Sequence, residues 1–331
     1  MKFNKRRITI WLGFIISAIF LYLALRKTEW VQVISIFKET NYLFLIPAVI
    51  AFFADFSFRA LRWKFLLIHI KNCRYPNLLS SVFIGFFSNT IFPMRAGEFI
   101  RSYFIGVQED ISKVSAFGTI AVERVFDGIT VVGLLIFALF FFPITPEIQK
   151  ILFVAVFFFA GALLVMYGLL FFRNFTRNLL KKIFRLLPEK IAHIGLRTLD
   201  SFTDGLMGIK SKQIIPIILL SIVAWTLNAS MFFFTGLGMG FDITFPGAIF
   251  LTTIIALGVA IPSSPGHVGV FEFFGIMAAG VIGIPKSEAV AFILLGRFLH
   301  TITILSAGGF FMAKEQLSLA QLNQQREEET Q

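Results

Sequence analysis

Residues 114–142 read VSAFGTIAVERVFDGITVVGLLIFALFFF, an apolar run whose charged residues are Glu123, Arg124 and Asp127. A helix of this length is long enough to cross about 30 Å of hydrocarbon. Charges at that depth are costly unless they are paired or hydrated. Arg124 and Asp127 are three residues apart and Glu123 and Asp127 four apart, so an ion pair within the helix is available. The run predicts a membrane-spanning helix with either a structural ion pair or a functional site inside it.

The rest of the chain is equally apolar. Of its 331 residues 57% are hydrophobic and 15% charged, and the mean hydropathy of +0.82 exceeds that of water-soluble proteins. Further uninterrupted runs occupy 8–25, 42–58, 151–172, 214–237 and 289–313. Run 8–25 follows four basic residues, as in a secretory signal peptide, but no small-residue cleavage site follows it. We therefore expect a retained signal anchor with a cytoplasmic N-terminus.

Two other apolar stretches, 78–106 and 245–284, are broken in the middle. The breaks read NTIFPMRAGE at 89–98 and IPSSPGHVGVFE at 261–272. Proline removes a helix hydrogen bond, and irregular backbone inside a bilayer needs protein or water to satisfy it. Each break is therefore either a surface loop or a buried site.

The distribution of lysine and arginine distinguishes these topologies, because short cytoplasmic loops carry the excess of positive charge. If both broken stretches are re-entrant hairpins, four basic regions lie on the cytoplasmic side: the N-terminus, 59–74, 173–212 and the C-terminal tail. The sequence thus predicts an all-α, polytopic integral membrane bundle of eight apolar segments, about six of them full crossings. Both termini would be cytoplasmic, and the location would be the inner (cytoplasmic) cell membrane.

The two broken stretches also predict an inverted repeat. Residues 42–142 would correspond to 214–313 with opposite orientation, an arrangement typical of secondary transporters. Arg124 follows Pro93 by 31 residues and Arg297 follows Pro265 by 32. Chance coincidence of two broken segments is the alternative interpretation. We expect one transmembrane domain over 1–315 and a disordered polar tail over 316–331.

Residues 173–213 form the longest polar segment, and its basic residues alternate with leucine, isoleucine and phenylalanine. This pattern predicts an amphipathic helix at an anionic cytoplasmic membrane surface. Membrane topology and lipid attraction account for the net charge of +11, so no nucleic-acid partner is expected. A single cysteine, Cys73, excludes an intramolecular disulfide. The four histidines lack metal-ligand spacing and no nucleotide-binding fingerprint is present, so we expect neither metal nor cofactor.

Arg297 has no acidic residue in its own run, and His300 lies one helical turn after it. Its partner must come from another helix, either as a simple helix-to-helix ion pair or within a cavity that receives an anion. In the second case guanidinium groups would grip phosphate oxygens, and half-helix N-termini would add amide donors. The candidate substrate-binding residues are Arg95, Glu98, Arg101, Glu123, Arg124, Asp127, Pro265, Gly266, Glu272, Arg297 and His300. Asp55 is a more peripheral acidic candidate.

At these positions the sequence resembles the lysylphosphatidylglycerol synthase transmembrane-domain family, also called the flippase-like domain family. The matching stretches are RALRWK at 59–64, a Pro-x-Arg-x-Gly-Glu core within 89–101, ERVFD at 123–127, a Pro-Gly-x-x-Gly-x-x-Glu core within 262–272, and Arg297. The resemblance implies a module that moves aminoacylated phospholipid or a polyprenyl-phosphate sugar between leaflets. Bifunctional family members add a soluble aminoacyltransferase domain, whereas here 18 residues follow the last predicted run. We therefore expect no lysyltransferase activity.

Two other classes of function remain open. A membrane enzyme acting on lipid phosphates would use a buried carboxylate as acid or base, but no metal or nucleophile pattern accompanies the carboxylates. A noncatalytic scaffold would instead present a contact surface to a separately encoded synthase or glycosyltransferase. We expect a transport protein rather than an enzyme, with membrane lipids as its partners.

Overall fold

The computed structural model describes residues 5–92, 96–184, 189–210, 212–261 and 263–328. Within these ranges the chain is all α-helical, as predicted. The α-helices are α1 (Lys5–Leu25), α2 (Trp30–Glu39), α3 (Leu45–Leu67), α4 (Tyr75–Ile91), α5 (Gly97–Gln108), α6 (Lys113–Ala138), α7 (Pro146–Phe171), α8 (Arg173–Phe184), α9 (Glu189–Leu206), α10 (Ile214–Gly238), α11 (Phe245–Gly258), α12 (Val270–Val281) and α13 (Lys286–Glu328).

Local sequence determines where several of these helices begin. The side-chain oxygens of Ser112, Thr145 and Thr244 each accept a hydrogen bond from the backbone amide three residues on. These caps satisfy amides that have no partner inside α6, α7 and α11. Proline occupies the first turn of both α7 and α11, where its missing N–H costs nothing.

Helices α3 and α10 form an antiparallel pair at the centre of the molecule. The Asn41 amide, just before α3, donates to the Gly238 carbonyl at the C-terminal end of α10 (2.7 Å). At the opposite ends of the pair, Arg62 Nη1 donates to Ser221 Oγ (2.8 Å). The pair therefore runs side by side over its whole length.

The two broken stretches form helical hairpins, α4–α5 and α11–α12. In the α4–α5 hairpin the two backbones approach so closely that glycine is required at position 97, because a Cβ there would overlap the carbonyl oxygen of Gly85. The longest of the four arms has 17 residues and the shortest 12, so each is about 18–25 Å long. No arm alone spans about 30 Å of hydrocarbon. Re-entry of these hairpins into a membrane stays a prediction.

The hairpins exchange neighbours between the two halves of the chain. Helix α5 packs on α6 and α12 on α13, whereas α4 packs on α13 and α11 on α6. In the α4–α13 contact the Phe83 and Phe311 rings stack at 5.5 Å. Each contact thus has a counterpart in the other half, and the central pair is antiparallel. An inverted repeat of 42–142 and 214–313 would produce this pattern, and the repeat stays a proposal.

Among the described residues four helical segments are long and apolar enough to cross a membrane: Tyr42–Leu67, Pro146–Phe171, Ile214–Gly238 and Lys286–Gln316. Helix α6 has the length, with 26 residues, but contains Glu123, Arg124 and Asp127. The fold is that of a polytopic helical membrane protein. The number of crossings stays a prediction.

Two boundaries differ from the sequence prediction. The run predicted to end at Phe58 continues as helix to Leu67, and Arg59 and Arg62 are buried in the bundle interior. They are accommodated there because each guanidinium contacts a carboxylate. The cytoplasmic side assigned to 59–74 stays a prediction. Helix α13 continues to Glu328, across most of the tail for which disorder is predicted. That segment is rich in Gln, Glu, Leu and Ala, which favour helix. Residues 329–331 lie outside the described ranges.

The segment 173–213 contains two helices, α8 and α9, that form ion pairs with each other. Arg173 Nη2 lies 2.9 Å from Asp204 Oδ1, and Arg177 Nε lies 3.3 Å from Asp200 Oδ2. Helix α9 in turn packs on α6, and a Cβ at Gly205 would overlap the α6 backbone. Contact of this segment with a membrane surface stays a prediction.

Candidate functional site: a buried charge network around Arg124

Seven charged side chains meet where α3, α5, α6 and α10 pack together. They are Asp55, Arg59 and Arg62 on α3, Arg101 on α5, and Glu123, Arg124 and Asp127 on α6. We call these seven residues the charge network. Six of the seven side chains are at most 7% exposed. Such charges persist in a low-dielectric interior only when they are paired and hydrogen-bonded.

Glu123 is the centre of the network. Arg101 binds it with two parallel hydrogen bonds, from Nη1 to Oε1 and from Nη2 to Oε2, both 2.9 Å long. Arg124 Nη2 donates to Oε1 (2.7 Å), and Arg62 Nη2 lies 3.3 Å from the same oxygen. The Arg101 guanidinium also lies 3.7 Å from the centre of the Trp63 ring. One carboxylate thus holds three guanidinium groups from three helices.

Asp127 joins the network to α10. Its Oδ1 accepts hydrogen bonds from Arg62 Nη1 (2.6 Å) and from Trp225 Nε1 (3.0 Å). Its Oδ2 lies 3.6 Å from Arg124 Nη1 and 3.7 Å from Arg59 Nη1. The predicted pairing of Arg124 with Asp127 within the helix is present, although Arg62 is the closer partner.

Asp55 anchors the other end of the network. It accepts hydrogen bonds from Arg59 Nε (2.6 Å) and from Asn228 Nδ2 (2.9 Å). The Arg59 guanidinium also lies 4.8 Å from the centre of the Trp225 ring. Asp55 is fully buried, and it is the eleventh of the 23 residues of α3, so it lies near the middle of that helix.

Arg124 differs from the other members, because its side chain is 35% exposed. It is the twelfth of the 26 residues of α6 and so lies near the middle of that helix. Its Nε is itself buried and has no hydrogen-bond partner among the described residues, so the exposed part of the side chain is elsewhere on the guanidinium or its stem. Phe86 of α4 lies beside it, with 5.8 Å between the guanidinium and the ring centre. Arg124 is therefore the guanidinium through which the network is open to a ligand.

Arg297 belongs to a second, separate cluster at the break of the α11–α12 hairpin. Its Nη2 donates to the carbonyl of Gly266, and its Nε lies 3.7 Å from Glu272 Oε1. Glu272 Oε2 accepts a hydrogen bond from the Gly269 amide (2.6 Å) and so caps α12. The expectation that the partner of Arg297 comes from another helix is confirmed. These contacts are those of a helix-to-helix ion pair.

The tips of the two hairpins meet beside this cluster. A Cβ at Gly266 would lie 3.5 Å from the Thr90 carbonyl oxygen and 3.8 Å from its methyl group. Helix α1 covers the same break, where the Ser264 amide donates to Ser17 Oγ (2.9 Å). His300 lies between aromatic rings, 5.0 Å from the centre of the Phe52 ring.

The predicted site residues thus fall into two groups. Arg101, Glu123, Arg124 and Asp127 lie together in the charge network, and Glu98 lies within electrostatic range of Arg124. The second group lies at the break of the α11–α12 hairpin and consists of Pro265, Gly266, Glu272 and Arg297. His300 lies one helical turn after Arg297 on α13. Arg95 lies outside the described residues. In the described chain no group of three or more His, Cys, Asp and Glu side chains could hold a metal ion.

Sequence reasoning missed the contribution of α3 and α10. The missed residues are Arg59, Arg62, Ser221, Trp225 and Asn228, whereas Asp55 is predicted as a peripheral candidate only. The spacing of Asp55 and Arg59, four residues apart within an apolar run, is a signal that could have identified the α3 residues.

Comparison with known proteins agrees with this architecture. The family model described as "Lysylphosphatidylglycerol synthase TM region" matches residues 10–308. The chain belongs to this family. The matched region includes both hairpins and every member of the charge network. No solved structure matches the chain.

Three curated relatives of this family member are archaeal. Glycosyltransferase AglD of Haloferax volcanii is 22% identical over 341 residues, which cover 93% of this chain and 55% of that protein. A UPF0104 membrane protein of Methanocaldococcus jannaschii is 24% identical over 335 residues, covering 96% of this chain and 97% of the relative. A second UPF0104 membrane protein of that organism is 24% identical over 222 residues, which cover 67% of this chain and 91% of that relative. The chain thus spans about half the length of AglD.

Proposed function

We propose that this protein moves a lipid with a phosphate-containing headgroup between the leaflets of the membrane. The observation that carries the proposal is Arg124, a partly exposed guanidinium in the middle of α6, a helix that the sequence predicts to cross the membrane. An exposed cation at that depth is costly, and such residues commonly mark the path of a substrate. A phosphate attached to an apolar tail would compensate its charge.

The surrounding network suits Arg124 to that role. Glu123 accepts a hydrogen bond from Arg124 Nη2 (2.7 Å) and Asp127 Oδ2 lies 3.6 Å from Arg124 Nη1, and these two contacts fix the orientation of the guanidinium. A guanidinium binds phosphate oxygens through two parallel hydrogen bonds. The rigid pairs around Arg62 and Arg101 would keep Arg124 in place when the ligand leaves.

The substrate classes that fit are aminoacylated phospholipids and polyprenyl-phosphate sugars, since both join a phosphate to an apolar tail. The name of the AglD relative, a glycosyltransferase, supports the second class. We place the protein in the inner (cytoplasmic) membrane with both termini in the cytoplasm. Each hairpin packs one arm on the other half of the chain, α4 on α13 and α11 on α6. This arrangement supports movement of one half against the other around a central site.

In this proposal the chain catalyses no covalent step. Glu123 and Asp127 each hold guanidinium groups, so neither carboxylate is free to act as an acid or base. The second candidate function, suggested by the glycosyltransferase name of AglD, is a membrane subunit that a separate glycosyltransferase requires. A protein of that kind would support glycosyl transfer in the presence of the transferase while moving no lipid alone.

Lipid binding by the purified protein tests the proposal. Phosphatidylglycerol should bind, whereas diacylglycerol, which has the same tails without phosphate, should not. Because a hydrogen bond to a charged group contributes about 1.5–3 kcal/mol, Arg124→Gln should weaken phosphatidylglycerol binding by roughly 10- to 100-fold. The measurement is titration of detergent-solubilised protein with each lipid.

Arg26→Gln is the matched control, because it removes the same charge from an exposed position directly after α1, outside both the charge network and the basic segment 173–213. It should bind phosphatidylglycerol as the wild type does. Equal binding by Arg124→Gln and wild type, or equal binding of diacylglycerol and phosphatidylglycerol, would contradict the proposal.

A further inference from the structure

Helices α8 and α9 lie at the end of the bundle where three long apolar helices begin or end. Arg173, the first residue of α8, directly follows α7. The Asp204 carbonyl oxygen of α9 lies 2.8 Å from Nε2 of His69, two residues after the end of α3. Helix α10 begins at Ile214, shortly after α9 ends at Leu206. Because α3, α7 and α10 have the length and composition of membrane spans, the α8–α9 pair lies at the level where a membrane surface would meet the bundle.

Helix α7, from which α8 continues, is apolar and mostly exposed along its length. Its side chains Phe153, Phe157 and Leu164 are 55%, 75% and 72% exposed. A surface of this kind is costly in water and favourable in hydrocarbon. Helix α8 therefore begins where the lipid-compatible surface of α7 ends.

The two arginines of α8 make contacts within the protein. Arg173 Nη2 lies 2.9 Å from Asp204 Oδ1, and Arg177 Nε lies 3.3 Å from Asp200 Oδ2. Both aspartates belong to α9, so these ion pairs hold one side of α8 against α9. The charge of the two arginines is thereby balanced by protein.

A different side of α8 is apolar and uncovered. Phe172, Phe175 and Leu179 are spaced three and four residues apart, which places them on one face. They are 65%, 67% and 47% exposed. Lys182 is exposed and follows Phe175 by seven residues, or two helical turns, so it lies on the same side. We call Phe172, Phe175, Leu179 and Lys182 the outer face of α8.

We propose that the outer face of α8 docks on an anionic lipid surface. The apolar side chains would enter the boundary between headgroups and acyl chains, while the Lys182 ammonium would lie among the lipid phosphates. Charge complementarity selects anionic lipid, since Lys182 is not one of the cations that α9 balances. The position of α8 directly after α7 selects a bilayer rather than a soluble partner. This inference is independent of the function proposed for Arg124.

Docking of α8 would reach α6 through α9. A Cβ at Gly118 of α6 would lie 2.5 Å from the Phe202 carbonyl oxygen, and one at Gly205 would lie 2.2 Å from the Ser115 carbonyl oxygen. Backbones this close leave no room for α9 to slide freely along α6. The lipid surface would therefore fix the height of the first half of α6 through α8 and α9.

Fluorescence quenching in proteoliposomes tests the docking. The full-length protein, with Cys73→Ser as background, carries a fluorescent label on Leu179→Cys or on Asn174→Cys. Asn174 is the matched control, because it is exposed on α8 but lies five residues from Leu179, on another side of the helix. One quencher is nitroxide-labelled phosphatidylcholine in the bilayer, and the other is iodide in the water.

We expect the nitroxide lipid to quench the label at Leu179→Cys strongly in vesicles of phosphatidylcholine mixed with phosphatidylglycerol, and less in phosphatidylcholine alone. The label at Asn174→Cys should be quenched mainly by iodide in both. Adding Lys182→Gln to Leu179→Cys should lower the ratio of docked to undocked helix by roughly fivefold in the mixed vesicles, the effect of one charge close to an anionic surface.

Three results would overturn the inference. In the first, the nitroxide lipid quenches the labels at Leu179→Cys and Asn174→Cys equally. In the second, the label at Leu179→Cys is protected from both quenchers, which would indicate a protein partner on the outer face. In the third, phosphatidylglycerol has no effect on the quenching. A label on Phe175→Cys reports on the same face, so a folding defect in one variant does not prevent the test.

Discussion

Glu123→Gln is expected to lower the free energy of unfolding by about 3–5 kcal/mol, because it leaves buried charges without their partner. The side chain keeps its shape, so the loss is electrostatic and creates no cavity. Arg62, Arg101 and Arg124 all contact this carboxylate, and the first two are almost completely buried. Denaturation of the detergent-solubilised protein, followed by helical circular dichroism, measures the change.

Two comparisons make this result specific. Glu147→Gln changes the same chemical group at an exposed position and should leave the denaturation curve unchanged. Adding Arg101→Met to Glu123→Gln removes one of the unpaired cations, so the double variant should lose less stability than the sum of the single losses. If Glu123→Gln denatures like Glu147→Gln, the network does not stabilise the fold.

Thr90→Cys combined with Gly266→Cys is expected to abolish lipid translocation when the two cysteines are oxidised. The proposed mechanism requires the two halves of the molecule to move, and the hairpin tips are one place where these halves touch, in addition to the α3–α10, α4–α13 and α6–α11 contacts. The methyl group of Thr90 lies 3.8 Å from the position of a Cβ at Gly266, so side chains at the two positions are in van der Waals contact and a short cross-link can join them. Cys73 should not interfere, because it is buried and burial raises the pKa of its thiol to about 11.

The reduced double variant and the oxidised single variants are the controls for the cross-link. Gly266 has a φ of 67°, which cysteine tolerates at a cost of about 1–3 kcal/mol. The reduced double variant must therefore translocate lipid before it is oxidised, and reduction must restore the rate afterwards. Each single variant exposed to the same oxidant should keep its activity. A fully cross-linked protein that still translocates lipid would show that the tips need not separate.

The parts of the fold that follow from local pattern were predictable from the sequence. Apolar runs and proline-containing breaks locate most of the long helices and the two hairpins. The three-residue spacing of Arg124 and Asp127 predicts their pairing within α6. The absence of an acidic residue near Arg297 correctly indicates a partner on another helix, Glu272.

The composition of the charge network was not predictable, because it depends on contacts between distant segments. Arg62 and Asp127 are separated by 65 positions, and Asp55 and Asn228 by 173. Positive charge at the end of an apolar run is typical of a cytoplasmic boundary. Arg59 and Arg62 depart from that rule because α6 and α3 itself supply carboxylates inside the bundle.

Exposure also depends on tertiary packing. Nothing in the sequence distinguishes Arg124 from Arg101, yet the first is 35% exposed and the second almost completely buried. The exposure of Arg124 carries the functional argument.

Lipid translocation by the pure protein in liposomes tests the central claim most directly. Fluorescent phosphatidylglycerol in the inner leaflet becomes accessible to an external quencher only after it crosses the bilayer. We predict a rate well above that of protein-free liposomes, and a rate roughly 10- to 100-fold lower for Arg124→Gln, the factor expected from loss of a charged hydrogen bond. A wild-type rate no greater than that of empty liposomes would contradict transport by this chain alone.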